Sequence, residues 1–411
     1  MNQPEQRQER GLLQDQAVIA NNAGRWPYNA ATHVIRTILF VVGTRPEAIK
    51  MAPVILACRR EPWVKVRVLA TAQHREMLDQ VLDVFDIKPD IDLNIMRDNQ
   101  TLPELTARLM IALDDAFACE GPDVVLAQGD TTSAMVAALA AFYRRIPFGH
   151  VEGGLRTGDL DYPFPEEMNR VVAGRLARWH FAPTQSARTN LLAEGIDKDR
   201  IALTGNTVID ALVEMSKRCD KYAPKISPGK RLVLVTAHRR ENFGEPFAEI
   251  CRAIKYLADT RCDVEFLYPV HPNPNVRETA IRLLGQHPRI RLCDPMEYRP
   301  FVAAMKSAHF ILSDSGGVQE EAPALGKPVL VLRSETERPE AVSEGVVKLV
   351  GTNFNAIVRE SLRLLDDSNA YQAMARGISP YGDGHASQRI VEVLRQDLVI
   401  PHRPQRVANA C

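Results

Sequence analysis

Short runs of β-branched and aliphatic residues recur along this chain, separated by longer amphipathic stretches. In the first half the runs are Ile35–Val42, Val64–Ala70, Val124–Ala127, Pro147–His150, Trp179–Ala182 and Ile201–Leu203. Each is short enough to be a buried strand. Helix-like stretches such as Leu102–Cys119 and Thr132–Tyr143 lie between them. Strands alternating with helices of this length predict βαβ units and a parallel sheet. The pattern then restarts. A Pro- and Lys-containing break, Lys221 to Lys230, precedes further runs at Leu232–Val235, Val264–Val270, Ile290–Leu292, Phe310–Leu312, Val329–Leu332 and Val347–Val350. Two α/β halves joined near Asn206–Gly229 are the economical reading.

Length agrees, since 411 residues exceed what one hydrophobic core usually serves. Apolar content of 45% and charged content of 25% are those of an ordinary globular protein. The 51 basic residues balance 51 acidic ones, which argues against a nucleic-acid partner. Seven scattered cysteines without CxxC spacing read as free thiols in a reducing compartment, so a cytoplasmic location is expected. No apolar stretch approaches the roughly 18 residues that span a bilayer, so no membrane partner is expected. Met1 to about Arg25 lacks an apolar secretion core and reads as a mobile extension.

Ligands of open parallel sheets bind beyond the carboxyl ends of strands, and the informative residues cluster there. Gly43-Thr44-Arg45-Pro46-Glu47-Ala48 follows the first strand, with a helix expected to start at Pro46. Backbone N–H groups and the positive end of a helix dipole would meet there and stabilise an anion such as phosphate. Arg45 and Lys50 add two cations. An unliganded αβ connection is the plain alternative. Asp130 follows the third run, where it can cap the next helix. Glu152 follows the fourth, in a glycine-rich loop where a salt bridge with Arg156 would explain it equally well. Glu166 and Glu167 fit the first turn of a later helix.

In the second half, His238, Arg239 and Arg240 follow one strand and His271 another, positions suited to anion binding and proton exchange. The segment Ser313 to Glu321 joins a strand to a helix. Its Gly316 and Gly317 permit close approach of a ligand, and consecutive amides there can form a second anion nest. Glu321, one turn further, can accept hydrogen bonds from the hydroxyls of a ribose. The chain carries neither GxxxxGK[ST] nor GxGxxG. It also lacks HExxH-like metal spacing and a GxSxG elbow, so neither metal nor cofactor is expected.

Together GTRPEAIKMAP, QGDTTS, VEGGLRTGD, PFPEEMNR, TAHRREN, PVHPNPNVRE, DSGGVQEEAP and GKPVLVLRSETERPE resemble the non-hydrolysing UDP-N-acetylglucosamine 2-epimerases of bacteria. The resemblance runs from Ile35 to about Arg395. It implies an α/β fold of two Rossmann-like domains with an interdomain cleft, the glycosyltransferase-B arrangement. The domains would span 34–205 and 206–379, with a C-terminal helix at about 380–398 returning to the first and residues 1–33 outside the family.

It also implies a homodimer that interconverts UDP-N-acetylglucosamine and UDP-N-acetylmannosamine for cell-surface polysaccharides. In that chemistry a base takes the proton on carbon 2 while UDP leaves carbon 1, giving 2-acetamidoglucal, and UDP adds back as a proton arrives on the opposite face. Acid–base groups on two sides of the ring and cations around the diphosphate are required. Carried onto matching positions, Asp130, Glu152 and Glu166 resemble the family's acid–base carboxylates and His238 its catalytic-site histidine. Arg45 and Lys50 resemble substrate contacts, Ser315, Gly316 and Gly317 the diphosphate loop, and Glu321 the ribose contact. Arg338 would be a further nucleotide contact and Phe301 would flank the uracil. Gln73, His74, Arg239 or Arg240, and His271 resemble a regulatory set for a second UDP-N-acetylglucosamine. Met296 stands where some relatives have Gln, and a thioether cannot replace both amide functions. A hydrolysing epimerase, a glycosyltransferase and a silent nucleotide-sugar sensor are the alternatives.

Overall fold

A computed structural model describes residues 35–71, 75–97, 99–336 and 338–399, with the side chains of 75–77 left aside. The first sheet is built from Arg36–Val42 (β1), Val64–Ala70 (β2), Ile91–Asp92 (β3), Val124–Gln128 (β4), Phe148–Val151 (β5), Trp179–Ala182 (β6) and Ile201–Leu203 (β7). The second takes Arg231–Thr236 (β8), Val264–Pro269 (β9), Ile290–Cys293 (β10), Phe310–Ser313 (β11), Val329–Val331 (β12) and Val347–Leu349 (β13). Every pairing is parallel. The strand orders are β3-β2-β1-β4-β5-β6-β7 and β10-β9-β8-β11-β12-β13.

Both sheets are covered on both faces, which is why their strands read as continuous apolar runs. Along β1, Ile38, Phe40 and Val42 face one apolar cluster, while Leu39 and Val41 face another. Along β8, Leu232 and Leu234 likewise face away from Val233 and Val235. This two-residue alternation is the pleat. Each fully buried side chain of this size contributes about 1.5–3 kcal/mol.

One apolar cluster continues across both sheets. It includes Met51 and Ile55 of the helix Arg45–Arg59, Val208 and Leu212 of Thr207–Ser216, and Tyr298 and Val302 of Tyr298–Ser307. Ile390 and Leu394 of the last described helix, Ala386–Leu398, join the same cluster. That helix is held by Asp210, which accepts from the Ala386 and Ser387 backbone N–H groups at 3.1 and 2.8 Å. At its far end Trp179 Nε1 donates to Asp397 at 2.6 Å. Among the described residues, no helix is long and apolar enough to cross a membrane.

Candidate active site

In each sheet the strand order reverses beside the first strand, between β1 and β4 and between β8 and β11. The crossovers leave to opposite sides there, opening a crevice at the strands' carboxyl ends. The two crevices contribute to one cavity of about 890 Å³. Lys50, Asp130, Glu152 and Glu166 line it from the first sheet's side, His238 and Arg338 from the second's. A neighbouring pocket of about 210 Å³ shares Arg45, His238 and His271 with it and adds Met296, Phe301, Ser315, Gly317 and Glu321.

The loop after β1 is not an open anion nest. The helix begins at Arg45, not Pro46, with Thr44 as its cap, and the Glu47 side chain folds back on the turn. Its Oε2 accepts from the Gly43 and Thr44 backbone N–H groups at 2.6 and 2.7 Å, and Thr131 donates to its other oxygen. The anion bound at this helix start is therefore the chain's own carboxylate, a capping box. Burial pushes the Glu47 pKa up, against the lowering effect of these bonds. Gly43 is required by close packing: a Cβ there would lie 2.5 Å from Thr71 Oγ1.

Glu152 sits in left-handed backbone at φ +64°, a conformation that costs a non-glycine residue energy and persists only where the surroundings enforce it. Its partner is Lys50, not Arg156, which pairs with Glu194 at 2.5 Å. Gln128 Nε2 adds a bond at 2.9 Å. Burial raises the Glu152 pKa; Lys50 opposes that and Glu320 reinforces it. Burial alone would lower the Lys50 pKa, but Glu152 and Glu320 outweigh it and hold the ammonium charged. Glu320, in turn, is paired with Arg338 at 2.6 Å, so four alternating charges cross the cleft.

Asp130 does not cap the following helix. Thr131 does, leaving the Asp130 carboxylate to Arg170 at 2.7 Å. Glu166 opens the helix Glu166–Leu176 and lines the cavity. Glu167 turns inward, is buried, and accepts from the Thr157 and Gly158 backbone N–H groups at 3.1 Å each. It orders the loop that carries Thr157 to the cavity.

On the opposite wall the rings of His238 and His271 stack with centroids 5.5 Å apart and planes 12° apart. Burial lowers the His238 pKa despite the adjacent Asp314. Ser315 precedes the helix Gly316–Ala324, whose first turn has no side-chain cap, so its amides remain available at the pocket. A Cβ on Gly316 would come within 3.4 Å of the Arg338 guanidinium. Glu321 accepts from the Tyr298 hydroxyl at 3.4 Å, and burial, aided by Glu320, pushes its pKa up to about 8. Arg239 lines the large cavity. Arg240 is exposed, lines neither cavity, and starts a 3-10 turn. Gln73 and His74 lie outside the described residues. No group of three or more metal-ligating side chains occurs among the described residues.

Sequence reasoning missed Glu47, Arg170, Asp314 and Glu320. Thr44-x-x-Glu47 is a readable capping signature. Arg170 and Asp314 act across long separations and leave no local sign.

Comparison with known proteins identifies the family. The family described as UDP-N-acetylglucosamine 2-epimerase matches residues 56–395. A UDP-N-acetylglucosamine 2-epimerase of Escherichia coli strain K12 is 54% identical over 372 residues, covering 88% of this chain and 99% of the relative. The crystal structure of the Neisseria meningitidis UDP-GlcNAc 2-epimerase bound to UDP-GlcNAc superposes with a TM-score of 0.80 at 49% identity, covering 88% and 100% of the two chains. A glycotransferase of kitacinnamycin, at 13% identity and a TM-score of 0.60 over 88% of this chain and 99% of its own, shares the fold.

Proposed function

Because the chain belongs to the UDP-N-acetylglucosamine 2-epimerase family and is an enzyme of that class, we propose that it interconverts UDP-N-acetylglucosamine and UDP-N-acetylmannosamine without net hydrolysis. The observation that carries this reading is the meeting of Asp130, Glu152 and Glu166 with His238 and Arg338 around one cavity. Anti elimination of UDP needs proton-transfer groups on both faces of the sugar, and these carboxylates surround the chamber. Each of two carries its own cation, Arg170 on Asp130 and Lys50 on Glu152.

The departing diphosphate takes the Ser315 side chain and the amides of Gly316 and Gly317 at a helix start, with Arg45 and Arg338 beside them. Phe301 flanks the uracil and Glu321 receives the ribose hydroxyls. The 2-acetamidoglucal intermediate stays enclosed until UDP returns to carbon 1. Arg239 and His271, beside the reacting chamber, contribute to a regulatory site for a second nucleotide sugar. The protein works as a homodimer in the cytoplasm.

Proton NMR of a reaction started with UDP-N-acetylglucosamine tests this directly. A mixture of the two UDP-sugars is expected. Accumulation of UDP and free N-acetylmannosamine establishes the hydrolysing alternative, and turnover only with an added acceptor establishes a glycosyltransferase.

A further inference from the structure

Behind His238, on the side away from the cavity, lies a carboxylate that the proposed reaction does not use. Asp314 directly follows β11 and is completely buried. Its Oδ2 accepts three hydrogen bonds: from the His238 and Arg239 backbone N–H groups at 2.8 Å each, and from Asn242 Nδ2 at 3.2 Å. These fix the carboxylate plane and the turn that carries His238. The turn is braced again by Tyr268, whose hydroxyl donates to the Ala237 carbonyl at 2.6 Å. Asn242 is itself tied to the Leu332 carbonyl at 3.2 Å.

The other oxygen, Oδ1, accepts no hydrogen bond from the described residues although it is fully buried. It lies 3.6 Å from His238 Nδ1. An unsatisfied buried acceptor is costly, so its surroundings call for a donor. The imidazole is the group placed to supply one. At 3.6 Å the bond is not formed, but such bonds are often long in the unliganded enzyme and tighten when substrate binds.

We propose that Asp314 is the positioning residue for His238, accepting a hydrogen bond from its Nδ1–H and thereby leaving Nε2 as the ring's open nitrogen. An ionised carboxylate can only accept, so the ring atom that meets it must carry the proton. Which nitrogen of a histidine is free is set by the bond the other one makes. The remaining charged neighbours do not dictate a tautomer. His271 stacks on the ring's face, Arg239 is next in the chain, and Arg45, Asp130, Glu152, Glu166, Arg170 and Arg338 line the cavities that His238 faces. Burial above all, then the stacked ring of His271 and the Arg239 guanidinium, disfavour a positive His238 against the opposing pull of Asp314, so a neutral ring is the relevant state in the free enzyme. The proposal rests on the epimerase reading only for what Nε2 then does: accept a proton or a hydrogen bond from the reacting nucleotide sugar.

The first test uses the unaltered full-length protein with histidine-selective 15N labelling, observed by long-range 1H–15N correlation at pH 8. The His238 signals, identified by their loss in His238→Asn, are expected to show a protonated Nδ1 and a bare Nε2. A protonated Nε2 with a bare Nδ1 would overturn the proposal. The second test is the Asp314→Asn variant. Its amide oxygen can keep the three N–H bonds while its NH2 group faces Nδ1 and selects the opposite tautomer. Turnover of UDP-N-acetylglucosamine is expected to fall about a hundredfold or more, with the Kd for UDP changed less than about threefold. Adding Asp314→Asn to His238→Asn is expected to cost less than about a further threefold, because the partner it acts through is already gone. Losses that simply multiply in the double variant would assign Asp314 a purely architectural role and overturn the proposal. If Asp314→Asn does not fold, the spectrum of the unaltered protein decides alone. Absence of turnover in the unaltered protein would instead sink the epimerase reading, with the tautomer still measured.

Discussion

Lys50 Nζ lies 2.5 Å from Oε2 and 2.8 Å from Oε1 of Glu152, although 102 positions separate the two residues. The pair is nearly buried, and Glu152 holds a left-handed backbone to reach it. Removing one member of a buried pair strands the other charge, at about 3–5 kcal/mol. Lys50→Met is therefore expected to lose that much stability at pH 7 by urea denaturation. The loss should shrink at pH 5, because burial favours the neutral form of Glu152 and a lower pH brings that form, which needs no cation, within easier reach. An equal loss at both pH values would contradict the pairing as the source of the effect.

Asp130→Asn and Glu152→Gln are each expected to lower turnover about a hundredfold or more, the scale of a positioned acid–base group. Steady-state assays would clear either residue if its variant retained near-normal turnover. Arg170→Met frees the Asp130 carboxylate from its 2.7 Å partner and should cost about tenfold in kcat, with UDP affinity little changed.

Glu321 carries a pKa of about 8, so the folded protein holds its proton more tightly than an unfolded chain, where the value is near 4.5. Ionising it is therefore costly, and stability falls as pH rises from about 4.5 through 8. Glu321→Gln removes that dependence. Calorimetry should give an unchanged Tm near pH 5 and a Tm a few degrees above the unaltered protein's at pH 9. A variant less stable than its parent at pH 9 would contradict the assignment.

Asp210 joins the helix Ala386–Leu398 to the rest of the fold through two backbone N–H groups and the Ser387 hydroxyl at 2.6 Å. Asp210→Ala leaves these buried donors unmatched and is expected to cost about 2–4 kcal/mol by urea denaturation. A cost below about 0.5 kcal/mol would show the helix is held by its apolar face alone.

Strands were legible wherever both faces are buried, because runs such as Ile38 to Val42 advertise themselves. β3 was not, since Ile91 and Asp92 are too few to show a period. The turn after β1 misled for a physical reason: glycine, threonine and a following helix describe a phosphate nest and a self-capped helix start equally well. Only the reach of Glu47 back to Gly43 separates them. Long-range pairs were beyond local reading altogether. Nothing near Glu152 distinguishes Arg156 from Lys50 as its partner, and His238 meets Asp314 only because β8 and β11 are neighbours.

Incubation with UDP-N-acetylglucosamine in heavy water tests the central claim most directly, because elimination must break the bond to hydrogen at carbon 2. Mass spectrometry and proton NMR are expected to find solvent deuterium at that carbon in both UDP-sugars, and little of it with Asp130→Asn or Glu152→Gln. Interconversion that leaves the original hydrogen in place would contradict the account.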